Sequence, residues 1–220
     1  MLQASTTKFL KDLKKNNNKP WFEKNKSIYL EAKEDVSHFV QQVIEGLGKV
    51  DPDIAPLQPK DCLFRIYRDV RFSKDKSPYK INMGAYFNRG GKKSPTAGYY
   101  FQCQPGRNLL AGGLWMPAAP ELGKVRQEID YNFAEWKKIL QERSFKKLFP
   151  DGPQREDILS RPPKGYDEDN PAIEYLRLKS FDVMRFLPDA EMQSKTLLKE
   201  VVKTFSVMLP FIRFLNRSLE

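Results

Sequence analysis

Residues 81–116, INMGAYFNRGGKKSPTAGYYFQCQPGRNLLAGGLWM, contain three apolar segments separated by short connections rich in turn residues. The segments INMGAYFN, GYYFQCQ and LLAGGLWM have the length and the aromatic content of β-strands. Short connections favour antiparallel pairing, because parallel strands need a longer crossover. The stretch therefore predicts an antiparallel meander. Its Gly112-Gly113 pair predicts a bulge or a close backbone approach, and Trp115 is expected in the core.

A fourth strand is predicted just before this stretch, in CLFRIYRDVRF, residues 62–72. Alternation assigns one set of side chains to an apolar face: Phe64, Ile66, Arg68 and Val70. The opposite face receives the other set: Arg65, Tyr67, Asp69 and Arg71. The segment SKDKSPYK is predicted as the loop to the next strand. Together these segments predict an antiparallel sheet of at least four strands over residues 61–116 or so.

Helices are predicted on both sides of the strand block. The segment TTKFLKDLKK forms the first helix, and Asn18 caps a second over residues 20–47 with Pro20 in its first turn. The second helix is expected to pack through its apolar stripe: Tyr29, Val36, Phe39 and Val43. From Pro120 onward the chain is largely helical, and a last helix begins near Asp189. Helices that flank an uninterrupted strand block indicate a single α+β domain over residues 1–220.

Several kinds of site lack the residues that they need. The chain has one histidine, His38, and two cysteines, Cys62 and Cys103. Because His38 lies off the apolar stripe of its helix, it is expected at the surface, and both cysteines are expected to be buried apolar side chains. The sequence therefore predicts no zinc site, no cofactor and no catalytic triad built on histidine. A carboxylate site for magnesium or calcium stays open, but no Asp or Glu cluster has recognisable ligand spacing, so no metal site is predicted.

The cellular setting follows from two negative observations. No apolar run approaches the roughly 18 residues that a membrane-spanning helix needs. The first residues, MLQASTTKFLKDLKK, lack the apolar stretch of a signal peptide. We therefore expect a cytoplasmic protein that has no membrane partner.

Positive charge is concentrated in one part of the sequence. The chain carries a formal net charge of +10, and residues 61–93 hold nine Lys and Arg against three Asp. A seventh of the chain thus supplies most of the excess, which predicts a basic patch in the folded protein.

The candidate ligand contacts come from the motif FRIYRDVRFSKDKSPYK, residues 64–80. They are Arg65, Arg68, Arg71, Lys74, Lys76, Tyr79 and Lys80. Guanidinium groups match phosphate and carboxylate bidentately, and a rigid Ser-Pro turn would hold the lysines at one end of the sheet. A structural interpretation is also open, in which the charges are solvated or protect a strand edge.

Arg68 is the unusual member of the motif because alternation puts it on the apolar face. A buried guanidinium needs a carboxylate, carbonyl groups or an anionic ligand. Either an internal ion pair with a helix acid such as Glu128, Asp130 or Glu174, or a ligand at a cavity rim, would satisfy it.

Five segments resemble one known family. They are NNNKPWFEKNKSIY, FRIYRDVRFSKDKSPYK, GYYFQCQP, GGLWMP and RPPKGYDEDNPAIEYLRLKS. In this order, and over nearly the whole chain, they are similar to the conserved bacterial and fungal proteins grouped as domain of unknown function 2461. The resemblance implies one stand-alone domain, and it implies no activity, substrate or catalytic residue.

Two functions remain open from the residues. The first is a pocket for a small phosphate- or carboxylate-bearing molecule, in a binding protein or a metal-independent enzyme. The alternative is a nucleic-acid-binding module that uses the basic strand block and stacks bases on exposed tyrosines, Tyr86, Tyr99 or Tyr100. The reaction, the ligand and the oligomeric state do not follow from the sequence.

Overall fold

A four-stranded antiparallel sheet in the order β1-β2-β3-β4 organises the computed structural model, which describes residues 1–220. Its strands are β1 (Met83–Phe87), β2 (Gly98–Cys103), β3 (Asn108–Leu114) and β4 (Phe181–Leu187). The predicted α+β class and the antiparallel sheet packed against helices are confirmed, and all three strands predicted within residues 81–116 are present.

The fourth strand is not the one that the sequence predicted. Residues 62–72 form no strand of the sheet and make only isolated bridges, Leu63 with Ala85 and Tyr67 with Tyr79. The place next to β3 is taken by β4, whose seven residues pair with Asn108–Leu114 along its full length. The sheet thus combines a three-stranded meander, β1 to β3, with a fourth strand that is distant in sequence. The 66 residues between Leu114 and Phe181 separate β3 from β4.

Nine α-helices accompany the sheet. The N-terminal ones are α1 (Ala4–Lys15), α2 (Lys19–Lys24), α3 (Lys26–Gly48) and α4 (Pro59–Cys62). The C-terminal ones are α5 (Ala119–Tyr131), α6 (Phe133–Gln141), α7 (Arg143–Leu148), α8 (Ile173–Leu176) and α9 (Leu197–Arg217). A 3-10 helix, Asp189–Gln193, precedes α9, and α9 continues through Pro210. No helix combines the length and the apolarity that crossing a membrane requires.

Asn18 caps α2 as predicted, since its side-chain oxygen accepts a hydrogen bond from the Trp21 backbone N–H. The single helix predicted over residues 20–47 is wrong, because the chain leaves helical geometry at Asn25 and divides into α2 and α3. The Asn25 side chain donates to the Trp21 carbonyl, a local hydrogen bond of the kind that competes with helix continuation.

The helices α3 and α9 cover one face of the sheet. Aromatic rings pack between the helices and the sheet. The ring centroids of Phe39, on α3, and Phe101 lie 5.1 Å apart, and those of Tyr99 and Phe205, on α9, lie 5.3 Å apart. The predicted stripe of α3 is confirmed: Val36, Phe39 and Val43 are buried, and Tyr29 packs half-buried against the core. His38 is exposed, and Cys62 and Cys103 are buried free thiols, as predicted.

Candidate functional site

The basic motif folds back on itself beside the edge of β1. The Phe64 N–H donates to the Gly84 carbonyl, and the chain then turns away from the sheet. Two further backbone bonds, from Arg68 to Pro78 and from Lys80 to Ile66, close it into an irregular hairpin. The residues between 69 and 77 therefore form a projecting loop and not a strand connection within the sheet.

Arg68 braces this loop from the inside. Its guanidinium donates to the Asp75 carboxylate, to the Ser77 carbonyl at 3.1 Å and to the Ser73 hydroxyl at 3.2 Å. The partners proposed from the sequence, Glu128, Asp130 and Glu174, are wrong, because Arg68 is paired with a carboxylate seven residues along its own loop. The Asp75 pKa is lowered to about 2, mainly by the Ser77 hydroxyl and N–H and then by Arg68.

Two more cations of the motif have internal partners. The Arg71 guanidinium donates to both carboxylate oxygens of Asp69, at 3.0 and 2.7 Å, and this bond lowers the Asp69 pKa. The Lys76 ammonium donates to the Val70 carbonyl at 3.0 Å, and Lys74 is exposed. The structure therefore brings the cations of the motif together on one loop. Three of them, Arg68, Arg71 and Lys76, donate their hydrogen bonds to groups of that same loop.

Tyr79 is part of the core. It is buried and stacks on Phe22 of α2, with ring centroids 3.9 Å apart. The Asn17 side chain accepts a hydrogen bond from the Tyr79 N–H and donates one to the Tyr79 carbonyl. This pair of bonds resembles the pair that a neighbouring β-strand would make. Burial raises the pKa of the Tyr79 hydroxyl. This residue joins the motif to the N-terminal helices.

The position of Arg68 gives a first testable prediction. Because Asp75 is largely exposed, we expect Arg68→Ala to lower the free energy of unfolding by only about 1 kcal/mol. Amide hydrogen exchange within residues 69–77 should nevertheless accelerate at least tenfold, since the loop loses its brace. Arg71→Ala, which removes an exposed pair beside it, is the control and should change exchange only locally. A large global destabilisation with unchanged loop exchange would contradict the brace.

The principal cavity lies elsewhere, on the sheet face that α3 and α9 do not cover. Its volume is about 730 Å³, within the usual range of small-molecule sites. The floor is a row of side chains that share one face of the four strands: Tyr86, Gly98, Tyr100, Gln102, Leu109, Ala111, Gly113, Asp182 and Met184. Two of the three β3 positions on this face, Ala111 and Gly113, are small, which leaves room above that strand.

One wall of the cavity is cationic. Lys80 is half-buried there, with its ammonium 5.2 Å from the centroid of the Phe64 ring. Burial and the neighbouring Arg65 charge lower the Lys80 pKa. Lys92, from the β1–β2 connection, also lines the cavity and donates to the Lys60 carbonyl at 2.6 Å. These two ammonium groups are suited to an acidic ligand group.

The opposite side carries two carboxyl groups, Asp182 on β4 and Glu121 in the first turn of α5. Asp182 is 7% exposed, and its Oδ1 is buried with no hydrogen-bond partner. Glu121 Oε2 is likewise buried and unpartnered. Burial, together with the nearby Glu156 charge, raises the pKa of Asp182 to about 6. The cavity thus has unused hydrogen-bond acceptors at one end.

Two tyrosines line the floor between these ends. The Tyr86 hydroxyl donates to the Thr96 carbonyl at 3.0 Å, and the Tyr100 hydroxyl donates to Gln102 Oε1 at 2.9 Å. Burial raises both hydroxyl pKa values, that of Tyr100 to about 12, and Asp182 contributes to the rise at Tyr86. Both hydroxyls are therefore neutral donors at ordinary pH.

The rim is formed by the residues that follow β3. Trp115 is 76% exposed, so its predicted core position is wrong. Met116 has φ 47°, a left-handed backbone conformation that is strained for a side chain of this kind. The Met116 N–H donates to the Ser180 hydroxyl at 2.9 Å, which holds the turn against the start of β4. An aromatic side chain is thereby presented at the cavity mouth.

Among the predicted contacts, Lys80 alone lines the cavity, and Arg65 lies close enough to influence its pKa. Arg68, Arg71, Lys74, Lys76 and Tyr79 lie outside its lining, and their role in binding stays a prediction. Tyr86 and Tyr100 are half-buried, and Tyr99 is buried on the helix-covered face with its hydroxyl donating to Asp51. The predicted exposed stacking surface is therefore wrong for Tyr99.

Sequence reasoning missed Asp182, Glu121 and Gln102. The available signal for Asp182 was local alternation, since the apolar residues Phe181 and Val183 flank it. The carboxyl groups of the cavity form no metal cluster, because nowhere do three or more His, Cys, Asp or Glu side chains come together as an ion would require.

The fold and the cavity define an α+β protein whose antiparallel sheet is covered by helices on one face and carries a ligand-sized cavity on the other. The sequence profile of a family described as conserved hypothetical protein (DUF2461) matches residues 5–214. The chain belongs to this family. Comparisons with curated proteins and with solved structures found no match.

Proposed function

We propose that this protein binds a small molecule with a largely apolar or aromatic body and one acidic group, in the cavity on the open sheet face. The observation that carries the proposal is the position of Lys80 and Lys92 on one wall of an otherwise mainly apolar cavity. The acidic group would contact these ammonium groups, and the body would contact Tyr100 and Trp115. Sites of this kind combine apolar walls with a few polar groups that fix orientation.

Electrostatics favour an anion at the Lys80 wall. Partial burial strengthens a charge–charge contact because less water screens it, and the Arg65 charge adds to the positive potential. Lys80 has no carboxylate partner in an ion pair, whereas Arg68 and Arg71 do. Its charge is therefore available to a ligand.

The test uses biphenyl carboxylate and the uncharged biphenylmethanol in calorimetric titrations of the purified protein. We expect the acid to bind at one site and Lys80→Met to weaken it about tenfold or more, as a lost charged hydrogen bond would. Biphenylmethanol should bind wild type and Lys80→Met alike. Ala111→Phe, which fills the floor without changing charge, should weaken both compounds.

Lys93→Met is the matched control. Lys93 is exposed next to Lys92 and does not line the cavity, so its loss changes net charge alone. Binding of the carboxylate that is insensitive to both Lys80→Met and Ala111→Phe would contradict the proposal, as would the absence of binding. Equal weakening by Lys93→Met would assign the effect to overall charge.

A further inference from the structure

We propose that Asp182 is a second anchor of this cavity, which accepts a protonated nitrogen of the ligand. The ligand class is then a small molecule with an acidic group and a basic nitrogen at opposite ends of an apolar body. This inference rests on the function proposed above and adds the chemistry of the other end of the cavity.

Asp182 has no partner within the protein. Its carboxyl group lines the cavity at 7% exposure, and no ion pair or side-chain hydrogen bond from another residue reaches it. Buried carboxylates are normally paired, because removing them from water is costly. An unpaired one that faces a cavity is therefore placed to receive a cation or a donor from a ligand.

The floor beside Asp182 is formed by glycines of the neighbouring strands. Asp182 pairs in register with Gly113, which in turn pairs with Gly98, so no side chain of β2 or β3 stands in this row. The Tyr86 ring of β1 covers Gly98, lying 3.0 Å from where a Cβ atom would be, and its hydroxyl lies 3.4 Å from the Gly113 carbonyl oxygen. A ligand atom would therefore reach the carboxyl group alongside this tyrosine. Glu121, with its own unpartnered Oε2, adds a second acceptor to the same cavity.

The cationic and acidic groups of the cavity lie at opposite edges of the sheet. Phe64 and Lys80 lie beside β1, and Asp182 lies on β4. The two edge strands are three spacings apart, ~14 Å. The acid and the nitrogen must therefore sit on different ends of the ligand and not on one carbon atom, which excludes the shortest amino acids from spanning both anchors.

The charged and titratable groups around Asp182 are consistent with this role. Glu156 lies near enough to raise its pKa, Tyr86 is a neutral hydroxyl beside it, and Glu121 shares the cavity. The cations Lys80 and Lys92 line the cavity from the β1 side. The acidic end therefore attracts a cation, and this attraction should fall as Asp182 becomes protonated.

The experiment compares three probes: biphenyl carboxylate, aminomethylbiphenyl, and a biphenyl that carries both groups at opposite ends. We expect Asp182→Asn to weaken the amine and the double probe about tenfold or more, and to leave the carboxylate within about twofold. Lys80→Met should instead weaken the carboxylate about tenfold or more and leave the amine within about twofold. Glu121→Gln provides a second variant, with a smaller loss for the amine, in case Asp182→Asn alters the fold.

The outcomes separate the two proposals. Carboxylate binding that depends on Lys80, with amine binding that ignores both Asp182 and Glu121, would overturn the inference and leave the proposed function intact. Failure of every probe to bind would overturn both. For wild type, amine affinity should also decline as pH falls from about 7 to about 5, whereas Asp182→Asn should show a flat profile, and a flat profile in wild type would count against the inference.

Discussion

The Gly113→Ala variant is expected to lose more than about 4 kcal/mol of its free energy of unfolding, and so to be mostly unfolded or insoluble at 37 °C. Gly113 has φ +130°, and a Cβ atom there would lie 2.0 Å from the Phe181 carbonyl oxygen and 2.7 Å from the Asp182 Cα. Both atoms belong to the backbone of β4. No rotamer change relieves the clash, so β3 and β4 would have to separate.

Gly106→Ala is the control for this variant. Gly106 also has positive φ, +80°, but nothing lies within 4 Å of the position that a Cβ atom would take, so only backbone strain of about 1 kcal/mol is expected. Urea denaturation followed by circular dichroism gives both values. A Gly113→Ala loss no larger than that of Gly106→Ala would mean that the strands can adjust, and the close approach would then not be essential to the sheet.

The β1–β3 segment was predictable because its information is local. Three apolar segments with turn residues between them specify antiparallel neighbours, and the Gly112-Gly113 pair indicated the close approach now seen at Gly113. The residues 62–72 have the same alternation, yet alternation does not tell whether an extended segment has a strand beside it. Arg68 therefore does not lie on a buried sheet face as alternation suggested, and Asp75 pairs with it inside the loop.

The strand β4 was missed because its pairing is not local in sequence. β4 pairs with β3 across a long insertion of helices, so nothing near it in sequence indicates its neighbour. It also carries Asp182 towards the cavity and Arg185 towards α9, where Arg185 is satisfied by Glu200 and by Thr204. Charged residues in a strand lower its apparent apolarity, and the partners that make them acceptable are visible only in three dimensions.

The cavity was only partly predictable because its lining residues are far apart in sequence. Lys80 was among the candidates because positive charge is concentrated in its sequence neighbourhood. Asp182 and Glu121 were not, because the cavity combines residues from the start of α5 and from β4 with residues from β1 to β3. The prediction of one domain over residues 1–220 remains to be tested, for example by limited proteolysis.

Asp182→Asn is expected to gain about 3 kcal/mol of stability relative to wild type as the pH rises from about 3.5 to about 8. Asp182 has a pKa raised to about 6 in the folded protein, against about 3.9 for an unfolded chain. At a pH between these two pKa values, Asp182 holds a proton in the folded state and has released it in the unfolded state. The wild type therefore loses stability as the pH rises through this window, and the loss is complete above the folded-state pKa.

The comparison is made as a difference between two pH profiles, so that any constant cost of burying an amide cancels. Urea denaturation of wild type, Asp182→Asn and Asp169→Asn at four pH values supplies the data. Asp169→Asn, at an exposed aspartate, is the control for the loss of one carboxylate from the surface. Parallel profiles for wild type and Asp182→Asn would show that the Asp182 carboxylate is already stabilised by the protein. A widening gap, together with the loss of amine binding in the same variant, would mean that this protein keeps a destabilising buried charge at the one place where a ligand can neutralise it.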